Sequence, residues 1–228
     1  ISRRKFKKWM RKCKNEISFN SGSDIEVIPF LYHKYGMNFL NKVNGPFSII
    51  LIDSKKDEYY IISDRFGVKP AYYTIKNKIL YFGSELKALK KILTFEHNNN
   101  TALAVSTVDF CYPLTPYKNV YRLPPGSILK YSQGVIDVKV WYAPKLIKSI
   151  NNFHYIKDKF LDYFDDAVNI RMQTDVNVGC YLSGGLDSTS IAFSAQKYNN
   201  NLEDLINQLE ELSSNKISNS VLNQITIN

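Results

Sequence analysis

Apolar positions crowd into short runs between residues 46 and 83, and that crowding sets the first reading of the chain. "PFSIILID", "EYYIISD", "AYYTI" and "ILYFG" are rich in Ile, Tyr and Phe and are parted by polar breaks. Such runs predict β-strands. "SKKDE" makes a hairpin turn between the first two, while "GVKP" and "KNK" divide the others. The near-continuous apolar runs imply a sheet covered on both faces. Further on, "RLPPGSILKYSQGVIDVKVWY" predicts a Pro-Pro-Gly turn leading into a hairpin with Gln133-Gly134 at its tip.

Helical spacing frames this β-dense block. Residues 3 to 13 predict a helix, and "EISFNSGSD" a short strand running into a turn. In "DIEVIPFLYHKYG", Ile25, Ile28, Leu31 and Tyr32 fall at helical intervals, with Ser23 or Asp24 as N-cap and Gly36 as the stop. Pro29 falls near the first turn, where a missing N–H is tolerated. "SELKALKKIL" predicts a helix capped by Ser84, residues 94 to 118 read as loop, and "APKLIKSINN" reads as a linker. From 154 to 172 a long helix is expected, with Ile156, Phe160, Tyr163, Phe164 and Ala167 on one face. "VNVGCYL" then predicts a short strand, followed by a glycine-rich turn, a helix from about 187 to 198, and an amphipathic tail helix in "NLEDLINQLEELSS". Helix, strand, loop and helix in that order suit a parallel α/β sheet. The change of pattern places a domain boundary so that one domain covers 1–144 and the second 145–228.

Composition narrows the function classes. The 228 residues carry a formal charge of +9, much of it in "RRKFKKWMRKCK" at the start. Phe6 and Trp9 stand three apart there, a spacing that gives a helix one buried stripe and a wet basic face rather than a nucleic-acid surface. An anionic small molecule suits the charge equally well. Cys13, Cys111 and Cys180 show no metal-ligand spacing and read as buried filler. His33, His97 and His154 lie in unrelated settings, which leaves little for a zinc site or a histidine triad. No apolar run approaches a membrane span, and with no secretory signal a cytoplasmic setting is expected.

The densest chemistry lies in "GCYLSGGLDSTSIAFSAQK". A strand that feeds a glycine turn opening a helix directs several N–H groups at one anion, and the helix dipole adds partial positive charge there. Gly184 and Gly185 can take positive φ and admit a phosphate close to the backbone. Ser183 and Ser188 add hydroxyl donors, and Asp187 suits the helix N-cap. A plain tight turn with a capped helix needs fewer glycines and serines than this. A Walker loop requires lysine after its second glycine, and position 185 is glycine. A serine-hydrolase elbow requires glycine where Tyr181 stands. What remains, Ser-Gly-Gly-Leu-Asp-Ser, resembles the pyrophosphate-binding loop of the ATP pyrophosphatases.

The wider context resembles the glutamine-dependent asparagine synthetases. "TDVNVGCYLSGGLDSTSIA" looks like the start of their synthetase domain. "SGSDIEVIPFLYHKYGMNFLNKVNGPFSIILID", "DRFGVKPAYY", "LYFGSELKAL" and "VYRLPPGSILKY" follow the late part of their class II glutamine amidotransferase domain. The likeness covers roughly residues 17 to 198. It implies an α+β domain, a four-layer αββα N-terminal-nucleophile hydrolase fold lacking its first part. The opening of an α/β, Rossmann-like adenine-nucleotide-binding domain would follow. It further implies that glutamine supplies ammonia, that ATP with Mg2+ converts aspartate to an acyl-adenylate, and that ammonia then attacks. On this resemblance Asp24 matches the acid that binds the glutamine amino group, against its plainer reading as an N-cap. Leu182, Ser183, Gly184, Gly185, Leu186, Asp187 and Ser188 match the ATP site, with Leu182 near the nucleoside. Asp64 and Arg65, with Ser84 and Glu85, mark the family but carry no chemistry. A homodimer of the full-length protein is compatible with the resemblance.

The chain also departs from the family pattern. Residue 1 is Ile1, whereas the family's nucleophile is an N-terminal cysteine, and its Asn-Gly-Glu and Ser-Gly-Glu-Gly-Gly-Asp segments do not occur. The expectation is an internal fragment holding half of each active site, with no catalytic residue of its own and weak affinity for ATP. Two alternatives stay open: a related ATP-dependent amide-forming cyclase of the β-lactam synthetase or lasso-peptide type, and a catalytically silent interaction module of the same fold.

Overall fold

The structure, a computed structural model, describes residues 23–98, 112–145, 152–173 and 178–198. The expected helix over 3–13, the "EISF" strand, most of the linker and the tail helix lie outside the described residues. The chain divides into two compact units, one of residues 35–147 and one combining 1–34 with 148–228.

In the first unit the apolar runs become strands: β1 (Ser48–Asp53), β2 (Glu58–Ser63), β3 (Tyr72–Lys76), β4 (Ile79–Gly83), β5 (Tyr121–Arg122), β6 (Ser127–Ser132) and β7 (Val135–Val140). They form two antiparallel sheets, a four-stranded one in the order β1-β2-β6-β7 and a three-stranded one in the order β4-β3-β5. Tight turns fix the local registers. Ser132 pairs with Val135 across Gln133-Gly134, and Lys76 with Ile79 across Asn77-Lys78. All four turn residues have positive φ, the geometry that matches strand twist in two-residue hairpins.

The sheets meet through Ile61 and Leu129 on one side and Tyr73 on the other, with Ala71 and Leu123 completing the cluster. Ile61 and Ile62 point to opposite faces, and both are buried, so central strand β2 is covered on both sides as expected. The edges are not: Ile50 and Ile52 on β1 and Val138 and Val140 on β7 are exposed. Three strands, one of only two residues, cannot span four.

Asp64 holds the loop that follows β2. Its Oδ1 accepts N–H bonds from Phe66 and Val68, and its Oδ2 from Phe47 and Lys69, at 3.0–3.1 Å. Burial by itself would raise this carboxyl's pKa, but the N–H groups of Lys69, Val68, Phe66 and Phe47 outweigh it and hold the value below the ordinary range. Arg65 donates to the Val43 carbonyl at 2.8 Å and lies over the Trp141 and Tyr142 rings. A short helix, α2 (Leu86–Lys90), follows β4 with Glu85 rather than Ser84 at its N-cap and no side-chain cap bond. Glu85 takes the extended cap conformation, which leaves Ser84 one residue too early to reach the first turn.

The second unit is helical. Ser23 caps a 3-10 turn, Asp24–Glu26, which runs into α1 (Val27–Tyr35). The Ser23 Oγ accepts the Ile25 N–H at 3.4 Å. α1 ends where expected, and the chain passes into the first unit as a 3-10 helix, Gly36–Lys42. α3 (Phe153–Met172) is capped by Asn152, whose side chain accepts the Tyr155 N–H at 3.1 Å, and α4 spans Leu186–Gln196. α3 and α4 pack through Val168 and Ala195, with Phe164, Met172 and Cys180 alongside.

Two expectations for this unit are corrected. Residues 178–182, the described part of the expected strand "VNVGCYL", form no ladder. A strand exists only through its neighbours, and no described segment supplies one here. The stripe on α3 is also largely uncovered: Ile156, Phe160 and Tyr163 are exposed, because in this unit α3 meets α4 over only its later turns.

Candidate functional site

The glycine-rich turn links residues 178–183 to α4. Gly184 takes φ +77°, and a Cβ built there would meet open space. Gly185 does not share the left-handed conformation. Its φ of −78° and ψ of 158° are those of an N-cap, and the helix begins at Leu186. The sequence reading of Asp187 as N-cap is therefore corrected: Asp187 is the second helical residue, where its charge still complements the helix dipole. Gly185 fits the cap because its extended backbone lets its carbonyl begin the helical ladder, accepting from Thr189 N–H at 3.1 Å.

Hydroxyls surround that carbonyl. Ser188 Oγ donates to it at 3.1 Å and Thr189 Oγ1 at 2.9 Å. Ser183 Oγ lies 3.1 Å from Ser188 Oγ and accepts the Gly185 N–H at 3.4 Å. With the Ser188 proton directed to the Gly185 carbonyl, Ser183 is the donor across the hydroxyl pair. The result is a closed circuit from Gly185 N–H through Ser183 and Ser188 back to Gly185 O. The two expected hydroxyl donors, Ser183 and Ser188, are present in one turn and, with the Gly185 N–H, are satisfied within it. An anion would open this circuit and draw on the first-turn N–H groups of α4, which have no intrahelical acceptor.

Other residues of the motif frame the turn. Leu182 is half-buried, whereas Leu186, Asp187 and the neighbouring Tyr181 are exposed. Cys180 packs near Val168 and Ala195, and burial pushes its thiol pKa up. Asp24 stands in a separate element, the 3-10 turn Asp24–Glu26, and Ser23 takes the cap position. Among the described residues no group of three or more His, Cys, Asp or Glu side chains could hold a metal ion.

Sequence reasoning missed two features. Thr189 doubles the hold on the Gly185 carbonyl, a role signalled only by its place four residues after that glycine. Asp165 on α3 accepts Ser194 Oγ at 2.5 Å and Lys197 Nζ at 2.6 Å from α4. The Lys197 bond first, then the Ser194 bond, lower the Asp165 pKa against a smaller desolvation effect. No sequence spacing announces a contact between two helices.

Comparison with known proteins assigns the two parts of the chain. Residues 5–142 match the family described as Glutamine amidotransferase domain, and residues 159–217 match Asparagine synthase. The chain belongs to the glutamine amidotransferase family and runs into the start of an asparagine synthase domain. Both matches reach past the stretch over which motifs alone carried the resemblance. A putative asparagine synthetase [glutamine-hydrolyzing] 2 of Methanocaldococcus jannaschii is 34% identical over 79% of this chain and 36% of its own length. Asparagine synthetase [glutamine-hydrolyzing] 2 of Bacillus subtilis is 30% identical over 78% of this chain and 26% of its own. "Amidase chry2" of Gibberella zeae is 27% identical over 82% and 28%. The chain thus spans about a third or less of the length of these relatives. No helix among the described residues is long and apolar enough to cross a membrane.

Proposed function

We propose that this chain is the central part of a glutamine-dependent asparagine synthetase, joining the late amidotransferase domain to the nucleotide-binding opening of the synthetase domain. The boundary lies near residue 145, and the second part opens a Rossmann-like fold. In the whole protein, ammonia released from glutamine is delivered to aspartate activated by ATP. A carboxylate is a poor electrophile, and adenylation supplies a good leaving group.

The observation that carries the reading is the serine-flanked turn with left-handed Gly184 at the start of α4, in a chain matching asparagine synthetases. Ser183, Gly184, Gly185 and Ser188 would hold the two outer phosphates. Leu182 would lie toward the nucleoside, with Leu186 and Asp187 completing the site. Mg2+ would arrive with the phosphates as part of the substrate. Asp187 is the carboxylate nearest to it in sequence, and the chain assembles no separate metal cluster among its described residues. Asp24 would bind the amino group of glutamine.

Hydrogen exchange tests this directly. Magnesium pyrophosphate and Mg-ATP should both slow exchange at Gly184, Gly185 and the first turn of α4. Unchanged exchange with both ligands at millimolar concentration would overturn the reading. The Gibberella zeae relative is named an amidase rather than an asparagine synthetase, and a second variant is one in which the acceptor is a carboxylate other than aspartate. Ligand-dependent pyrophosphate release by the full-length protein, compared between aspartate and other carboxylates, separates the two.

A further inference from the structure

We infer that Asp165 is a positioning residue for the glycine-rich turn, acting through α4; this rests on the proposed phosphate role of that turn. The apolar contact between α3 and α4 is small, centred on Val168 and Ala195. Apolar contact is non-directional, so the small cluster of Val168 and Ala195 with Phe164, Met172 and Cys180 does not by itself set the register of the two helices. Register must come from directional bonds. The Asp165 carboxylate supplies two, one oxygen taking Ser194 Oγ at 2.5 Å and the other taking Lys197 Nζ at 2.6 Å. Ser194 is buried, so its hydroxyl has little access to water as a substitute. The two donors, Ser194 on α4 and Lys197 at its C-cap, lie about one turn apart, so holding both fixes the rotation of the helix as well as its advance along α3.

The consequence appears at the other end of the same helix. From Ser194 back to Gly185 the rise is about 13 Å at ~1.5 Å per residue. A tilt of about 5° at the Asp165 anchor would move the turn by ~1 Å, beyond the roughly 0.5 Å within which a binding constellation must be held. Cys180, just before the turn, packs in the same apolar cluster, so the segment leading into the turn and the helix leaving it are referred to one anchor. Asp165, Ser194 and Lys197 all lie outside the Ser-Gly-Gly-Leu-Asp-Ser turn itself.

The test uses the full 228-residue chain with Asp165→Ala, Asp165→Asn and Ser194→Ala. Magnesium pyrophosphate affinity is measured by calorimetry, and folded fraction by far-UV dichroism and urea midpoint. Asp165→Ala and Ser194→Ala should each weaken binding about 5-fold or more while the chain stays folded, and Asp165→Asn should fall between. The double variant Asp165→Ala/Ser194→Ala should lose no more than the worse single one. Affinity unchanged in the folded variants overturns the inference, as does a loss that only tracks the unfolded fraction. If the parent chain itself fails to bind pyrophosphate, the proposed function falls, and this inference with it. If the parent binds and the variants bind equally, only this inference falls.

Discussion

Asp64 shows how one buried side chain can organise a loop. It is 2% exposed, yet four backbone N–H groups converge on its two oxygens, one of them from Phe47, 17 residues earlier. Replacing it with alanine strands those donors away from water and should cost about 3 kcal/mol or more. The pH dependence follows from the lowered pKa. A carboxyl depressed below its ordinary value of 3.8 contributes stability above that pH, and the contribution drains away as pH falls through the folded value. Urea midpoints measured from pH 6 downward should therefore drop below about pH 4, and Asp64→Asn should flatten that part of the curve. Two glycines give a second residue-scale contrast. Gly126 has φ +59°, and a Cβ there would collide with the Tyr142 carbonyl. Its own carbonyl accepts from Trp141 and Tyr142 N–H. Gly184 has positive φ but open space around it. Gly126→Ala should cost about 3 kcal/mol or more, combining backbone strain with lost bonds, whereas Gly184→Ala should cost only the strain, about 1–2 kcal/mol. Denaturation of both variants checks the order.

At the scale of elements, local chemistry was legible and long-range pairing was not. The strands and the Gln133-Gly134 hairpin follow from short apolar runs and turn residues, which act over a few positions. That β6 inserts beside β2, pairing Leu129 with Ile61, depends on packing across more than sixty residues and leaves no local mark. The candidate turn divides in the same way. Its glycines and serines could be read directly, but the N-cap could not, because Asp187 outranks glycine as a cap on propensity while backbone geometry gives the position to Gly185. The hydroxyl circuit that results makes a prediction of its own. Thr189→Val keeps the helical N–H bond to the Gly185 carbonyl and removes only the Oγ1 bond. The start of α4 should loosen by about 0.5–1.5 kcal/mol, visible as faster amide exchange in its first turn with little change further along α4.

Over the whole molecule, charge and exposed apolar surface pull against each other. The chain carries +9, and like charge keeps copies apart in solution. Yet among the described residues β1 ends the larger sheet with Ile50 and Ile52 exposed, and the exposed residues Phe153, Phe160 and Tyr163 lie along α3. Isoleucines exposed on a strand offer apolar surface to another copy. Which force wins depends on screening. The Debye length is about 10 Å at 0.1 M salt and ~3 Å at 1 M, so repulsion weakens with salt while apolar association does not. Self-association should therefore increase between low and high salt, the opposite of what purely ionic contacts between copies would do. Ile52→Lys should suppress the increase by placing charge on the edge itself, and Phe160→Glu should do so only if α3 is the surface that joins. Sedimentation velocity across a salt series, for the parent and both variants, identifies the responsible surface. A parent that stays monomeric at high salt would show that neither surface drives association.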